Sequence, residues 1–416
     1  MADANDTPWP PTRAEGLRRL DAFVPRAGRA YADSRNFDHG PGRHANASTL
    51  SPYLRHRLVR EEEVIGEVLE RHSLAQAEAF VREVCWRTYW KGWLELRPAV
   101  WRSYRSAVAD RVAELDRDRG LRDRFESALS GRSGIDCLDH WAGELIATGY
   151  LHNHARMWFA SLWIFTLRLP WELGADFFFR HLLDGDPASN TLSWRWVAGL
   201  QTRGKTYLAS PGNIARFTSG RFRPTEPMAT TADPIPGPPP PRPRALPPAD
   251  RPEPGPVGLL LTEDDLDPTT LGLDPDRVVA VAGLCNPDDR SPMPVGPLPR
   301  AFTTGALADA LDRAGRAFDA PADRLAPTGS GDWPAPVLDW ARRLGINRIV
   351  TPESPQGPAR ERVDALRDPL QNAGIGLAVL RKEWDDAFWP FATAGFFRFK
   401  DAIPETLDRL GLLALR

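Results

Sequence analysis

Phe80, Glu83, Trp86 and Arg87 are spaced so that Phe80, Glu83 and Arg87 fall on one stripe of a helix, with Trp86 beside them. A carboxylate and a guanidinium on a face otherwise built of rings must pair or serve a ligand, because burying either alone is expensive. The plainer alternative is an intrahelical Glu83 to Arg87 pair at the surface. Asn153, Arg156 and Met157 repeat the theme at i, i+3 and i+4, after His152 and before the apolar stretch 158–165. Polar groups on one side of so apolar a helix suggest a planar ligand. A third segment sets Asp184 and Asp186 around Gly185, then Asn190, Trp194 and Trp196. Alone it reads as a capped turn, and the spacing and closing glutamate of a calcium loop are absent.

The elements that must carry these residues follow from periodicity. Apolar residues recur at three- and four-residue spacing over 61–70, 74–97, 136–148, 152–167 and 171–183, which predicts helices broken at Pro98 and Pro170. Ten of the fifteen tryptophans lie between Trp86 and Trp196, a density that a bulky aromatic core or a ring-shaped ligand would each explain. Fourteen prolines between Pro224 and Pro256 rule out helix or central strand there and predict a stiff linker. Beyond it the period changes. Short aliphatic runs at 257–261, 277–282, 348–350 and 375–380 alternate with helical stretches, one of which carries Leu307, Leu311, Ala314 and Phe318 on one face, and this predicts a parallel α/β sheet. The expected organisation is therefore a helical domain over 1–222, a linker over 223–256 and an α/β, Rossmann-like domain over 257–416.

At 416 residues the chain has room for two or three domains and a large buried ligand. Cys85, Cys137 and Cys285 lie far apart, so neither a zinc site nor an iron–sulfur cluster is expected, and the chain reads as a cytoplasmic protein with reduced thiols. No secretory leader or membrane span is evident. The net charge of −2 argues against a uniformly basic nucleic-acid binder. Even so, residues 1–222 carry 31 basic against 27 acidic side chains, and 201–223 hold Arg203, Lys205, Arg216, Arg221 and Arg223 without an acid. No glycine-rich nucleotide loop or internal repeat is found.

Taken together, the segments 47–54 (ASTLSPYL), 80–87 (FVREVCWR), 149–157 (GYLHNHARM) and 181–196 (HLLDGDPASNTLSWRW) resemble, in order and spacing, the FAD-binding domain of DNA photolyases and cryptochromes. The resemblance spans roughly residues 20–220. It implies that Tyr31, Ser48, Thr49, Leu50 and Ser51 hold the FAD diphosphate, with Ala47 at the family's usual threonine and Thr49 at its frequent arginine. Arg87, Asn153, Arg156, Asp184 and Asp186 would surround the rest of a folded cofactor, and Asn190 would face flavin N5, where a neutral amide can accept from N5–H or donate to a bare nitrogen.

The same resemblance assigns Trp194 and Trp171 to the inner part of an electron-transfer chain, with no tryptophan near Leu115 for the outer place and Trp101 or Trp158 as substitutes. Thr166 stands where the partner of Arg156 is usually aspartate. For a repair enzyme, Glu83 would touch the lesion, Trp86 and Trp196 would stack on it, Asn153 and Met157 would lie beneath it, and Arg35 would meet DNA phosphate. Phe80, His154 and Ala209 depart from the family's usual tryptophan and two arginines. The α/β region is similar to the family's antenna domain in reversed order. Its first strand runs into the acidic stretch Glu263, Asp264, Asp265 and Asp267 instead of an arginine-rich run, and the second antenna chromophore is unassigned.

The implied activity is light-driven splitting of pyrimidine dimers in damaged DNA by electron transfer from reduced FAD. The alternative is a cryptochrome-like photoreceptor or redox protein without repair. A ligand-free helical scaffold would leave the buried polar groups unexplained.

Overall fold

The structure is a computed structural model and describes residues 8–327 and 332–413. Helices fill the N-terminal half. The Leu74–Glu95 helix begins at a Ser73 capping box with Gln76, and Pro98 opens the Pro98–Leu115 helix at its first turn, where a missing N–H costs nothing. The Asp136–Thr148 helix stops at Gly149, whose φ of 68° is the left-handed conformation that glycine adopts freely.

Three of the expected helices end sooner than their periodicity, the one from Leu74 by two residues at Glu95. The stretch 152–167 is an α-helix over Asn153–Ser161 that widens into a π-turn over Leu162–Thr166, closed by Leu167 N–H donating to Leu162 O at 2.9 Å. The Trp171–His181 helix stops two residues short of 183 because Leu182 turns extended and Leu183 N–H donates to Gly149 O. Pro187 then starts the Pro187–Val197 helix, capped by Asp186, whose carboxylate accepts from Ser189 N–H at 2.6 Å.

Among the described residues the C-terminal half holds five parallel strands, β1 Val257–Thr262, β2 Val278–Leu284, β3 Ala322–Leu325, β4 Arg348–Pro352 and β5 Gly376–Leu380, in the order β3-β2-β1-β4-β5. Four match the aliphatic runs. β3 has no counterpart among them: it is a short, partly exposed edge strand carrying Asp323 and Arg324, and charge on an edge hides the apolar signal.

The proline-rich segment forms no regular element, yet it does not hang free. Ile235 N–H donates to Ala198 O, Arg244 N–H to Leu96 O, and Arg97 Nε to Pro241 O, so it lies along the helical half. The helices after β5, Glu383–Phe388, Phe396–Asp401 and Ile403–Arg409, return to that half as well. Gly92 admits Trp389 there, since a Cβ would lie 2.8 Å from its Cδ1. One apolar core runs through both halves, and a smaller second one lies between the sheet and the Pro334–Arg343 and Pro358–Asn372 helices.

The acidic stretch after β1 makes the polar part of this junction. It sits at the carboxyl end of β1, where the strand order reverses between β1 and β4. Asp264 meets Arg55 at 2.5 Å, Asp265 meets Arg57 at 3.1 Å and Lys382 at 2.9 Å, and Asp267 meets Arg60 at 2.7 Å. Glu263 pairs with Arg362. Three of these acids thus face guanidinium groups of the helical half.

Candidate functional site

Asp184 and Asp186 draw the sequence motifs together. Asp184 Oδ2 accepts from Arg156 Nη2 at 3.0 Å, and the Asp184 carboxylate also bonds the Ser51 side chain. Asp186 lies 3.8 Å from Arg87 Nη1. Burial pushes both carboxyls up, but nearby cations outweigh it. Arg156 and Arg87 hold Asp184 below its ordinary range, and Lys91, Arg87 and Arg55 bring Asp186 down to about 2. Both are therefore anionic at neutral pH. Arg55 Nε also donates to Gly185 O at 2.9 Å, which fixes the turn between the two acids.

Around this pair several buried polar atoms have no hydrogen-bond partner among the described residues: Arg87 Nη1, Asp184 Oδ1, Ser189 Oγ, Thr191 Oγ1 and Lys91 Nζ. Such groups are costly unless a ligand satisfies them. A cofactor with a polar edge and a phosphate tail fits donors and acceptors of this kind. Asn190 is buried and its Nδ2 donates to Ala175 O at 2.8 Å, which leaves its carbonyl oxygen as the available acceptor.

Of the residues expected to hold a diphosphate, Ser51 reaches Asp184. Thr49 adopts a left-handed φ of 53° and its hydroxyl accepts from Arg19 at 3.1 Å. Ser48 Oγ accepts from Leu50 N–H, and Leu50 caps the Ser51–Arg55 helix. Tyr31 packs edge-on against Phe80 and Phe23 and bonds Arg35, and burial pushes its phenol up.

Other expected members are arranged differently. Glu83 does not pair with Arg87; it accepts from Arg35 Nη1, so the surface-pair alternative is replaced by two separate ion pairs. Arg35 is thereby committed to a carboxylate and is not a free phosphate contact. Trp86 lies flat under Phe396, and Trp196 stacks on Tyr207 at 5.8 Å. Asn153 is exposed and Met157 half-buried. Thr166 does not reach Arg156 but accepts from Ala229 N–H at 3.1 Å.

Trp194 and Trp171 are both buried, but the indole beside Trp194 is Trp163, with centroids 6.4 Å apart at 88°. Gly174, one turn beyond Trp171, makes this possible, since a Cβ there would lie 2.4 Å from Trp194 Cη2 and 2.9 Å from Trp163 Nε1. Sequence reasoning does not single out Trp163, Lys91, Arg55, Arg57 or Trp9. Trp9 packs at a tilt against Tyr150, centroids 5.1 Å apart, with Arg19 above the Trp9 ring. Lys91 is open to detection as the residue one turn beyond Arg87. The others depend on contacts distant in sequence.

Residues 80–221 match the family model described as the FAD binding domain of DNA photolyase. Residues 80–221 are thus similar to a photolyase-type FAD-binding domain. Among curated relatives, a deoxyribodipyrimidine photo-lyase of Streptomyces griseus is 38% identical over 156 residues, covering 37% of this chain and 32% of that protein. One from Thermus thermophilus is 34% identical over 194 residues, covering 44% and 41%. The chain thus spans less than half the length of these photolyases. A solved class III photolyase from Agrobacterium tumefaciens aligns with a TM-score of 0.41 at 27% identity, covering 51% of this chain and 44% of that one. A Synechocystis cryptochrome aligns with 0.43 at 22%, covering 50% and 43%. The photolyase-type domain binds FAD, and the buried, unpartnered polar atoms around Asp184 and Asp186 suit that cofactor.

Proposed function

We propose that this flavoprotein splits pyrimidine dimers in DNA under blue light, as a deoxyribodipyrimidine photolyase. The observation that carries the reading is the convergence of Ser51, Arg87 and Arg156 on Asp184 and Asp186 from separate helices. Bound FAD supplies the light absorption and the transferable electron. The protein's own groups do the rest. Ser48, Thr49, Leu50 and Ser51 hold the diphosphate, with Tyr31 beside them. Arg87, Asn153, Arg156, Asp184 and Asp186 would orient the cofactor, and the Asn190 carbonyl oxygen would be the acceptor offered to it. Glu83, released from Arg35, bonds the dimer. Trp86 and Trp196 would wall it and Asn153 and Met157 would lie beneath it, which would hold the dimer against the cofactor that supplies the electron. Arg216 and Arg223 line a shallow hollow that suits DNA phosphate.

The second reading, a cryptochrome-like photoreceptor without repair, is favoured by Phe396 on Trp86 and by the Arg35 to Glu83 pair, which occupy groups that repair would need. The test is recovery of intact thymines from ultraviolet-damaged oligothymidine mixed with the reduced protein under blue light. Recovery that falls in Glu83→Ala while FAD stays bound supports repair. No recovery above the dark control leaves the photoreceptor reading.

A further inference from the structure

The Ser51–Arg55 helix is a strut between the two halves of the chain. Its first residue, Ser51, bonds the Asp184 carboxylate, and its last, Arg55, donates from Nε to Gly185 O at 2.9 Å, so both ends touch the turn that carries Asp184 and Asp186. The Arg55 end is also stitched to the acidic stretch after β1. Arg55 Nη1 lies 2.5 Å from Asp264 Oδ1, His56 Nδ1 donates to Glu263 O at 2.5 Å, Leu266 N–H donates to His56 O at 2.9 Å, and Arg57 meets Asp265 at 3.1 Å. Three consecutive residues of the helical half thus each meet the stretch 263–266. Arg290, also of the α/β half, holds the same turn: its Nη1 donates to Leu182 O at 3.2 Å, and a Cβ on Gly185 would lie 3.1 Å from that nitrogen.

Arg55, Asp264 and Asp186 are all buried. A guanidinium keeps its charge in such a place and must be met by a carboxylate. Asp264 meets Arg55 in contact, while Asp186 feels it at longer range, after Lys91 and Arg87. Asp264 therefore keeps Arg55 turned toward Gly185 and leaves Asp186 to Arg87 and Lys91. The carboxyl end of β1, where the strand order reverses, is also the place that an open parallel sheet ordinarily offers to a ligand. Here Glu263, Asp264, Asp265 and Asp267 are buried and ion-paired, so that end of the sheet is filled by the contacts that hold the strut.

We propose that the α/β half is a working part of the cofactor site: Asp264, acting through Arg55, is a positioning residue that fixes the turn bearing Asp184 and Asp186 for FAD. The proposal rests on the reading of that acidic pair as the one that holds FAD. FAD binding and closure of the junction are then coupled, and by linkage the coupling runs both ways. Removing the Asp264 charge weakens FAD binding, because Arg55 turns to Asp186 and takes up a carboxylate that the site needs. FAD in turn tightens the contact between the strut and the acidic stretch.

The test uses the full chain, stripped of FAD and titrated with it, alongside Asp264→Asn, Arg55→Met, the two combined, and Asp267→Asn. We expect Asp264→Asn to weaken FAD binding by about tenfold, within the usual span of such couplings. Because Asp264 acts through Arg55, adding Asp264→Asn to Arg55→Met should weaken binding by no more than about twofold further. Asp267→Asn breaks the neighbouring pair with Arg60, which lies outside the strut, and should leave FAD binding within about twofold of wild type. That contrast separates positioning from a general loosening of the junction. Hydrogen exchange at the Leu266 amide, which donates to His56 O, should slow when FAD is added to the wild-type chain, and this reads the proposal even where the variants fold poorly. Wild-type affinity in Asp264→Asn, an equal loss in Asp267→Asn, additive losses in the double variant, or a Leu266 amide indifferent to FAD overturn the proposal alone. A wild-type chain that takes up no FAD overturns the cofactor reading, and the proposal with it.

Discussion

The Trp86 indole lies face to face with Phe396, ring centroids 3.6 Å apart and planes 9° from parallel. Around this stack, Tyr89 donates to Ala394 O at 2.7 Å and Lys400 pairs with Glu78 at 2.5 Å, so the Phe396–Asp401 helix is fastened over one wall of the site proposed for the lesion.

Phe396→Leu should therefore uncover Trp86 while keeping most of the apolar contact. The lost ring stack costs about 1 kcal/mol in chemical denaturation. If this helix limits access, acrylamide quenching of tryptophan fluorescence rises and repair of a thymine dimer speeds up. Unchanged quenching would contradict the stack, and unchanged repair would contradict its role as a cover.

Arg57 is the centre of the junction between the two halves. It is 2% exposed and reaches Glu61 at 3.3 Å, Asp265 at 3.1 Å and Asp385 at 2.7 Å. Arg57→Ala would strand these carboxylates in a buried site, and we expect a loss of about 3–5 kcal/mol. Urea unfolding checks it. A change under about 1 kcal/mol would mean that water or Lys91 and Lys382 take over the charge.

Much of this is legible in the sequence, because the signals are local. The helical period, the proline run and the motif residues Arg87, Arg156, Asp184 and Asp186 lie within short windows, and they do meet. What escapes depends on contacts far apart in sequence. Arg57 and Asp265 are separated by 208 positions and Trp86 meets a residue near the other end of the chain, so neither periodicity nor composition carries them. β3 escapes for the opposite reason, being a charged edge with no apolar run. The Glu83 to Arg87 pair is the simplest local reading, and both partners instead find opposite charges on other elements.

Glu144 should give stability a pH dependence. Burial, with Asp38 adding to it, pushes its carboxyl up to about 7, and neither oxygen has a hydrogen-bond partner among the described residues. His44 and His140 each stand 3.9 Å away, and burial lowers both. The folded chain thus holds the Glu144 proton more tightly than the unfolded chain. Stability from this group is fully present below the ordinary carboxyl range and is lost as pH rises from there through about 7. Glu144→Gln should match the wild type near pH 4 and exceed it above pH 7 by about 2–3 kcal/mol at most. Equal urea midpoints at both ends of that range would contradict it.

His152 acts in the other direction. Burial lowers its imidazole to about 4, so the folded chain favours the neutral ring and stability falls as pH drops below the ordinary histidine value toward 4. His152→Asn should flatten that acid limb while leaving the limb due to Glu144 in place. A steeper acid limb in the variant would contradict the assignment.

The central claim is that Arg87, Arg156, Asp184 and Asp186 converge to hold FAD. Its most direct measurement is the flavin released per chain on denaturing the purified protein, alongside Asp184→Ala and Arg87→Met. The account predicts about one FAD per wild-type chain and at least about tenfold weaker retention in each variant, equivalent to roughly 1.4 kcal/mol. A wild-type chain that neither carries nor takes up FAD, or variants that hold it as tightly, would contradict it.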